Sequence, residues 1–234
     1  MSALPDRILH WRRNHPGRSL ASAIFFECCR GACHLLFTVL YRFRRFGLHN
    51  IPATGPLIIV SNHQSHLDPI AVGALLAPRA THPIARIGLF KFKPFGWLIK
   101  SLNSIPIRQG EPDTAAIREA LVRLESGAPV LIFAEGSRTF DGELQEFQRG
   151  VLLLLRRARC PVLPIAIDGA FDAWPRTRTF PRLFGQRLAM AAGKVIQPEE
   201  LLASDDALER LRTEIESLRA LCARKLYTQS HRSQ

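Results

Sequence analysis

The stretch LIIVSNHQSHLDPIAVGALLA, residues 57–77, decides the fold. Its first five residues, Leu57–Ser61, are a continuous, mostly apolar run with three β-branched residues at its centre and no polar alternation, which predicts a strand buried on both faces. Asp68 and Pro69 then read as an N-cap and a first-position proline for a helix built on IAVGALLA. A buried strand that turns directly into a helix is the unit of an α/β sheet, and the alternation continues. Further strands are expected at Pro83–Ile87, Ser104–Ile107, Val130–Ala134, Val162–Ile167 and Leu188–Ile196. Helices are expected at Thr114–Ser126, where Gly127 stops the run, at Val151–Ala158 and at Asp205–Leu226. The fold class is therefore α/β: a central, largely parallel or mixed sheet flanked by helices, with an N-terminal amphipathic helical segment.

Outward from this stretch, composition narrows the function classes. The chain has 234 residues, 47% of them hydrophobic and 22% charged, which excludes a disordered or collagen-like protein. Cys28, Cys29, Cys33, Cys160 and Cys222 are too few and too unevenly placed for a disulfide framework, and read as reduced buried thiols. The net charge is +12, and 27 of the 32 basic residues are Arg, the side chain suited to forked contacts with phosphate. Such a balance fits nucleic acid, an anionic membrane or a phosphorylated substrate.

Half of that charge sits in residues 1–50, where Arg7, Arg12, Arg13, Arg18, Arg30, Arg42, Arg44 and Arg45 face only Asp6 and Glu27. The first twenty residues lack the apolar run and small-residue site of a signal peptide. Residues 21–40 are strongly apolar, but Glu27, Arg30 and His34 interrupt them. With Thr38, Arg42 and Arg45, these recur at three- and four-residue steps as one polar stripe on a helix. Ile24, Phe25, Cys28, Leu35, Leu36, Val39 and Leu40 fill the remainder. The pattern describes a helix lying in a membrane interface; packing on the protein's own core is the alternative. The expected division is a basic membrane-association segment at 1–46 and an α/β domain at 47–234.

In open α/β sheets, ligands bind beyond the carboxyl ends of the strands, so the polar residues there carry the chemistry. After the first buried strand come Asn62, His63 and, five residues on, Asp68. His63 and Asp68 cannot share a helix face and meet only if the chain turns between them. In that arrangement the carboxylate holds the imidazole, and His63 is a general base. Asp68 as a plain N-cap and His63 as a loop histidine remain open at this point. His63, His66 and Asp68 also form H-x-x-H-x-D, but after His82 the only histidine is His231, so a metal site is not expected. Arg108 follows the Ser104–Ile107 strand. Glu135-Gly136-Ser137-Arg138 follows Val130–Ala134, where Gly136 permits a tight turn and Arg138 can hold a phosphate. Phe147-Gln148-Arg149-Gly150 then opens a helix whose N-terminus favours anions. No Walker loop, G-x-G-x-x-G or G-x-S-x-G is present.

In this order the residues resemble the glycerolipid acyltransferase family, the 1-acyl-sn-glycerol-3-phosphate acyltransferases above all. Asn62-His63 through Asp68 matches N-H-x-x-x-x-D, and Ile105-Pro106-Ile107-Arg108 matches an apolar run ending in Arg. Phe133-Ala134-Glu135-Gly136-Ser137-Arg138 matches F-P-E-G-[TS]-R, and Pro161–Ile165 matches an apolar stretch with prolines. The resemblance covers about residues 45–197. It implies direct acyl transfer from a thioester of coenzyme A or acyl carrier protein to a glycerol-phosphate hydroxyl, giving phosphatidic acid, with no cofactor. His63 would be the base and Asp68 its partner. Asn62, Arg108, Glu135, Gly136, Ser137, Arg138 and Arg149 would bind the phosphorylated acceptor. The partners implied are lysophosphatidic acid, the thioester donor and an anionic membrane surface on the cytoplasmic side, with no nucleic acid. Acylation of another lyso-lipid and a non-catalytic lipid-surface binder are the alternatives. Two departures, Ala134 for the proline and Asn103-Ser104 for a glycine and a small residue, touch the acceptor side. Lys91, Lys93 and Lys100 among Phe90, Phe92, Phe95 and Trp97 form a basic aromatic patch that in isolation fits a nucleic-acid surface or a helix packed on the sheet with its lysines in water; the resemblance implies a membrane- or donor-facing surface. Arg176, Arg178, Arg182 and Arg187 read as lipid-headgroup or donor-phosphate contacts, or as solvated surface.

Overall fold

The computed structural model of the chain describes residues 19–75, 79–91, 93–101, 103–108, 113–203 and 206–227. Arg7, Arg12, Arg13 and Arg18, Phe92, Asp205 and His231 lie outside them. In chain order the elements are α1 (Leu20–Tyr41), β1 (Arg44–Phe46), β2 (Leu57–Ser61), α2 (Asp68–Leu75) and β3 (His82–Arg86). They continue with α3 (Lys93–Ser101), β4 (Ile105–Ile107), α4 (Thr114–Glu125), β5 (Pro129–Phe133) and α5 (Arg149–Ala158). The last are β6 (Val162–Asp168), α6 (Ala170–Ala173), β7 (Ala189–Ala192), α7 (Pro198–Leu202) and α8 (Ala207–Tyr227).

The seven strands form one sheet in the order β1-β7-β6-β2-β5-β3-β4. Every neighbouring pair is parallel except β6 and β7. The sheet is therefore mixed, with a parallel centre. β2 sits in the middle and is buried at every residue, as its unbroken apolar run requires. Successive residues of each central strand enter opposite cores. Ile58, Val60, Val130, Val162 and Ala166 join Leu124, Leu154 and Leu211 from the helices on one side. Leu57, Ile59, Leu131, Leu163, Ile165 and Met190 join Phe37, Tyr41 and Val72 on the other. The period of two thus assigns each side chain to a face.

The expected Leu188–Ile196 strand shortens to Ala189–Ala192, followed by a lone bridge between Ile196 and Val162. Short β1 escaped the pattern because three residues carry too little periodicity. It lies just before the expected division at 46/47. Arg44–Phe46 pair with β7, and Phe37, Tyr41 and Phe43 belong to the central core, so packing runs without a break across that point.

Helix α1 differs from the expected stripe at its end. Arg42 adopts φ 46° and terminates the helix, and Arg45 lies in β1, so the stripe stops at Thr38. The chain has to leave the helix there to enter the sheet. Ala23, Phe26, Phe37 and Tyr41 are buried inward, Arg30 pairs with Glu27 at 2.8 Å, and Leu20, Ile24, Leu35, Leu36 and Val39 are exposed. Ala23–Tyr41 is long and apolar enough to cross a membrane. Cys28 is exposed on this helix, contrary to the expectation of buried thiols, which Cys160 and Cys222 fulfil.

Gly169 turns β6 into α6 at φ 81°, and a Cβ there would stand 2.0 Å from the carbonyl oxygen of Arg187. Gly169→Ala should therefore destabilise the protein by about 2 kcal/mol or more, from strain and collision together. A melting temperature unchanged from wild type would contradict this account of the turn.

Candidate active site

The parallel strands deliver their carboxyl ends to one edge of the sheet, and the loop 62–67 after β2 stands at its centre. Asn62 is buried, and its amide is used in both directions on the neighbouring strand. Nδ2 donates to the Ile167 carbonyl at 2.9 Å, and the Ile167 N–H donates to Oδ1 at 2.8 Å. Asn62 thus ties β2 to β6 and aims the next residue; its polar atoms are spent on the scaffold rather than turned toward a ligand.

The chain does turn between His63 and Asp68. His63 Nδ1 lies 2.8 Å from Asp68 Oδ2, and the same oxygen accepts the N–H groups of Gln64 at 2.6 Å and Ser65 at 2.7 Å. Asp68 is fully buried at the first turn of α2 and reaches backward, gathering the loop that precedes it. A plain N-cap would instead accept from the helix in front of it. The imidazole also stacks on Phe133 at 4.1 Å between ring centroids, with 20° between planes. With Nδ1 committed to Asp68, Nε2 is the nitrogen left for proton transfer.

Glu135 supports this from the next strand end. Its Oε1 accepts the His63 N–H at 2.6 Å and its Oε2 the Gln145 N–H at 3.0 Å. Glu135 is therefore a brace between two loops, and Arg138 does not depend on it for a partner. Burial pushes the Glu135 carboxyl up to about 7; its two N–H donors pull the other way and the Asp68 charge adds to the rise. Gly136, at φ 68°, makes the tight turn and places its carbonyl 3.3 Å from Arg86 Nη2. Ala134, where the family motif has proline, donates its N–H to the Ser61 carbonyl at 3.2 Å, a bond proline cannot make. Asn103 stands in place of glycine at φ 66°, a conformation asparagine tolerates.

Arg138 is half-buried and meets His66 Nε2 through Nη1. Burial, with the Arg138 charge next, holds the His66 imidazole down at about 4, so it is neutral and its Nε2 accepts a hydrogen bond from the guanidinium. Its ring lies 4.8 Å from that of Trp174. Arg176 donates to the Arg138 carbonyl at 3.1 Å and covers the Phe140 ring at 3.8 Å. Burial, then the charges of Arg176 and Arg86, depress the Arg138 pKa. Arg86, Arg138 and Arg176 thus stand within electrostatic reach of one another next to the 62–67 loop, an arrangement suited to a dianionic phosphate.

Of the expected binding residues, the structure brings Glu135, Gly136 and Arg138 to His63. Ser137 is half-buried in the same turn. Arg108 and Arg149 are exposed, and Arg149 follows Gln148, whose N–H donates to the Ala134 carbonyl at 2.9 Å beside the Gly136 turn. Arg108 follows β4, three strands away from β2 at the sheet's outer edge, and its N–H donates to Asp113 at 2.7 Å. Arg149 opens α5. Arg86 was missed, although its place at the carboxyl end of β3 is itself a signal. Among the described residues, no group of three or more His, Cys, Asp and Glu is placed to hold a metal ion. In the basic aromatic patch, Trp97 is exposed and packs at 5.8 Å on Phe25 of α1.

Residues 42–168, more than half of the chain, match the family model described as Acyltransferase. A 1-acyl-sn-glycerol-3-phosphate acyltransferase of Pseudomonas aeruginosa is 34% identical over 165 residues, covering 69% of this chain and 63% of that protein. The chloroplastic enzyme of the same name from Brassica napus is 30% identical over 133 residues, 55% of this chain. The matched stretch spans 38% of that relative's length. The crystal structure of the 1-acyl-sn-glycerophosphate (LPA) acyltransferase PlsC from Thermotoga maritima superposes with a TM-score of 0.69 at 26% identity. It covers 92% of this chain and 85% of that one.

The raised Glu135 carboxyl has a consequence for stability. Between its ordinary value of 4.5 and about 7, the folded protein keeps a proton that the unfolded chain has lost. This contribution is fully present below pH 4.5 and is lost as pH rises through about 7. The stability difference between wild type and Glu135→Gln should therefore move against wild type over that window, by on the order of 3 kcal/mol at most. Denaturant melts at intervals of pH read it directly, and a pH-independent difference would refute it.

Proposed function

The chain belongs to the acyltransferase family, and from that premise we propose that it acylates the free hydroxyl of 1-acyl-sn-glycerol-3-phosphate, yielding phosphatidic acid. The observation that carries the reading is the 2.8 Å contact of His63 with buried Asp68, set beside the Arg86–Arg138–Arg176 cluster. A base and a phosphate clamp side by side suit an acceptor that bears both a hydroxyl and a phosphate. The curated relatives and the PlsC structure carry the same activity in their names.

In the proposed reaction, His63 Nε2 takes the proton of the acceptor hydroxyl as its oxygen attacks the thioester carbonyl of acyl-CoA or acyl carrier protein. Asp68 steadies the imidazolium that forms. The tetrahedral intermediate collapses with cleavage of the carbon–sulfur bond, and the thiolate leaves with the proton held on His63. Oxygen gains the acyl group and sulfur gains hydrogen, so no cofactor is consumed. The thioester is already reactive, so metal activation is not required. The exposed apolar residues of α1 support contact with a membrane, and a peripheral position on its cytoplasmic face is part of the proposal.

Purified protein supplied with lysophosphatidic acid and each donor tests the reading. His63→Ala should lower kcat by about 10²–10⁴-fold while leaving circular dichroism unchanged; wild-type turnover in that variant would end the proposal. Activity should persist in EDTA, and loss restored by zinc would instead indicate a metal enzyme.

Arg138→Ala should act on the acceptor. One charged hydrogen bond contributes about 1.5–3 kcal/mol, so the acceptor KM should rise about ten- to a hundredfold with a smaller change in kcat. The donor KM should hardly move. An increase confined to the donor would assign the arginine cluster to the wrong substrate.

A further inference from the structure

The segment 174–188 between α6 and β7 reads WPRTRTFPRLFGQRL. Trp174 and Arg176 at its start face the candidate active site, but its tip is bare: Phe180 is 76% exposed, Phe184 73% and Leu183 47%. The base is held in place. Trp174 Nε1 donates to the Arg178 carbonyl at 3.0 Å, the Arg178 N–H to the Pro175 carbonyl at 3.1 Å, and the Arg182 N–H to the Ala173 carbonyl at 2.8 Å. Pro181 restricts the backbone beside Phe180. Three large apolar side chains within five residues are thus presented to the outside by a tied loop. Scattered single exposures need no explanation, but a cluster does.

The charge of the loop is one-sided. Arg176, Arg178, Arg182 and Arg187 fall within it, with no Asp or Glu. Aromatic and aliphatic tips ringed only by Arg complement a surface that is anionic outside and apolar beneath. Position strengthens the match. The Leu188 N–H donates to the Tyr41 carbonyl at the end of α1, and the Arg44 N–H to the Leu188 carbonyl, both at 3.0 Å. The loop is therefore joined to α1 near Leu35, Leu36 and Val39, at the carboxyl end of the parallel strands where His63 lies. Phe140, 71% exposed beneath the Arg176 guanidinium, adds to the same edge.

We propose that the 174–188 loop is a second lipid-contacting element, independent of α1. Phe180, Leu183 and Phe184 enter the acyl region of an anionic bilayer, and Arg178 and Arg182 engage its headgroup phosphates. Arg176 links the inserted loop to Arg138, so the loop sets the mouth of the site against the lipid. This goes beyond the proposed reaction and stands on the loop's own exposure and charge.

Flotation of the full chain with phosphatidylcholine vesicles, with and without phosphatidylglycerol, tests it. Phe180→Ser/Leu183→Ser/Phe184→Ser should cut partitioning about tenfold or more on anionic vesicles, with unchanged circular dichroism and melting, since these side chains are exposed. Arg178→Gln/Arg182→Gln should cut partitioning about tenfold on anionic vesicles at low salt and leave neutral ones unaffected. Wild-type flotation of the triple variant would overturn the proposal. So would a change in its sedimentation velocity with flotation intact, which would make the loop a contact between copies of this chain. Transfer with short-chain, water-soluble substrates should survive in the triple variant while transfer to vesicle-embedded acceptor falls; equal loss of both would also overturn it. Absence of transfer in wild type would count against the proposed reaction alone, because flotation decides the loop by itself.

Discussion

One carboxylate oxygen organises the active edge of this protein. Oδ2 of Asp68 takes an imidazole nitrogen and two backbone N–H groups, all within 2.8 Å, in a place without solvent. A buried carboxylate without such donors would be costly, and unpaired N–H groups in the loop would be costly too. Oδ2 and the loop's donors satisfy each other, while the buried Oδ1 makes no hydrogen bond among the described residues, so the loop, the start of α2 and the ring of His63 are held through one oxygen. Asn62 and Glu135 extend it. The first spends its amide on β6, and the second spends both oxygens on the backbones of His63 and Gln145. Three of the residues that the family motifs single out, His63, Asp68 and Glu135, are thus joined by hydrogen bonds rather than only by sequence order, while Asn62 fixes the strand end beside them.

The electrostatics beside this scaffold are of the opposite kind. Arg86, Arg138 and Arg176 repel one another, and two of them have lowered pKa values with burial as the first cause. Neutral acceptors hold them meanwhile: the carbonyls of Gly136 and Arg138, and the unprotonated ring of His66. Such an assembly is left with charge that these partners do not neutralise, which suits the anionic acceptor of the proposed reaction. His66 belongs here as a positioning residue, because its burial keeps it neutral and able to accept from Arg138.

The apolar surface follows a separate logic. A helix on a water-soluble protein turns its apolar side inward. Here α1 does so with Phe26, Phe37 and Tyr41, yet also carries Leu35, Leu36 and Val39 outward. The loop after α6 repeats this with Phe180 and Phe184. Both features meet where Tyr41 and Leu188 are hydrogen-bonded, so the His63–Asp68 pair and several of the uncovered apolar groups share one end of the molecule.

The sequence by itself determined the α/β class and the placement of the central strands, because strands buried on both faces must read as unbroken apolar runs. Leu57–Ser61 appears in the structure with the bounds its pattern predicts. The spacing of His63 and Asp68 was legible for a related reason: a five-residue gap after a strand end leaves a turn as their only way to meet. The tertiary structure alone decided which arginines cluster. Arg86, Arg138 and Arg176 come from three distant segments, and strand order, which no local pattern encodes, brings them together while leaving Arg108 on the outer edge. It likewise decided that Asn62 and Glu135 serve the scaffold, because an amide or carboxylate can face a ligand or a backbone, and only the packed neighbours select between them.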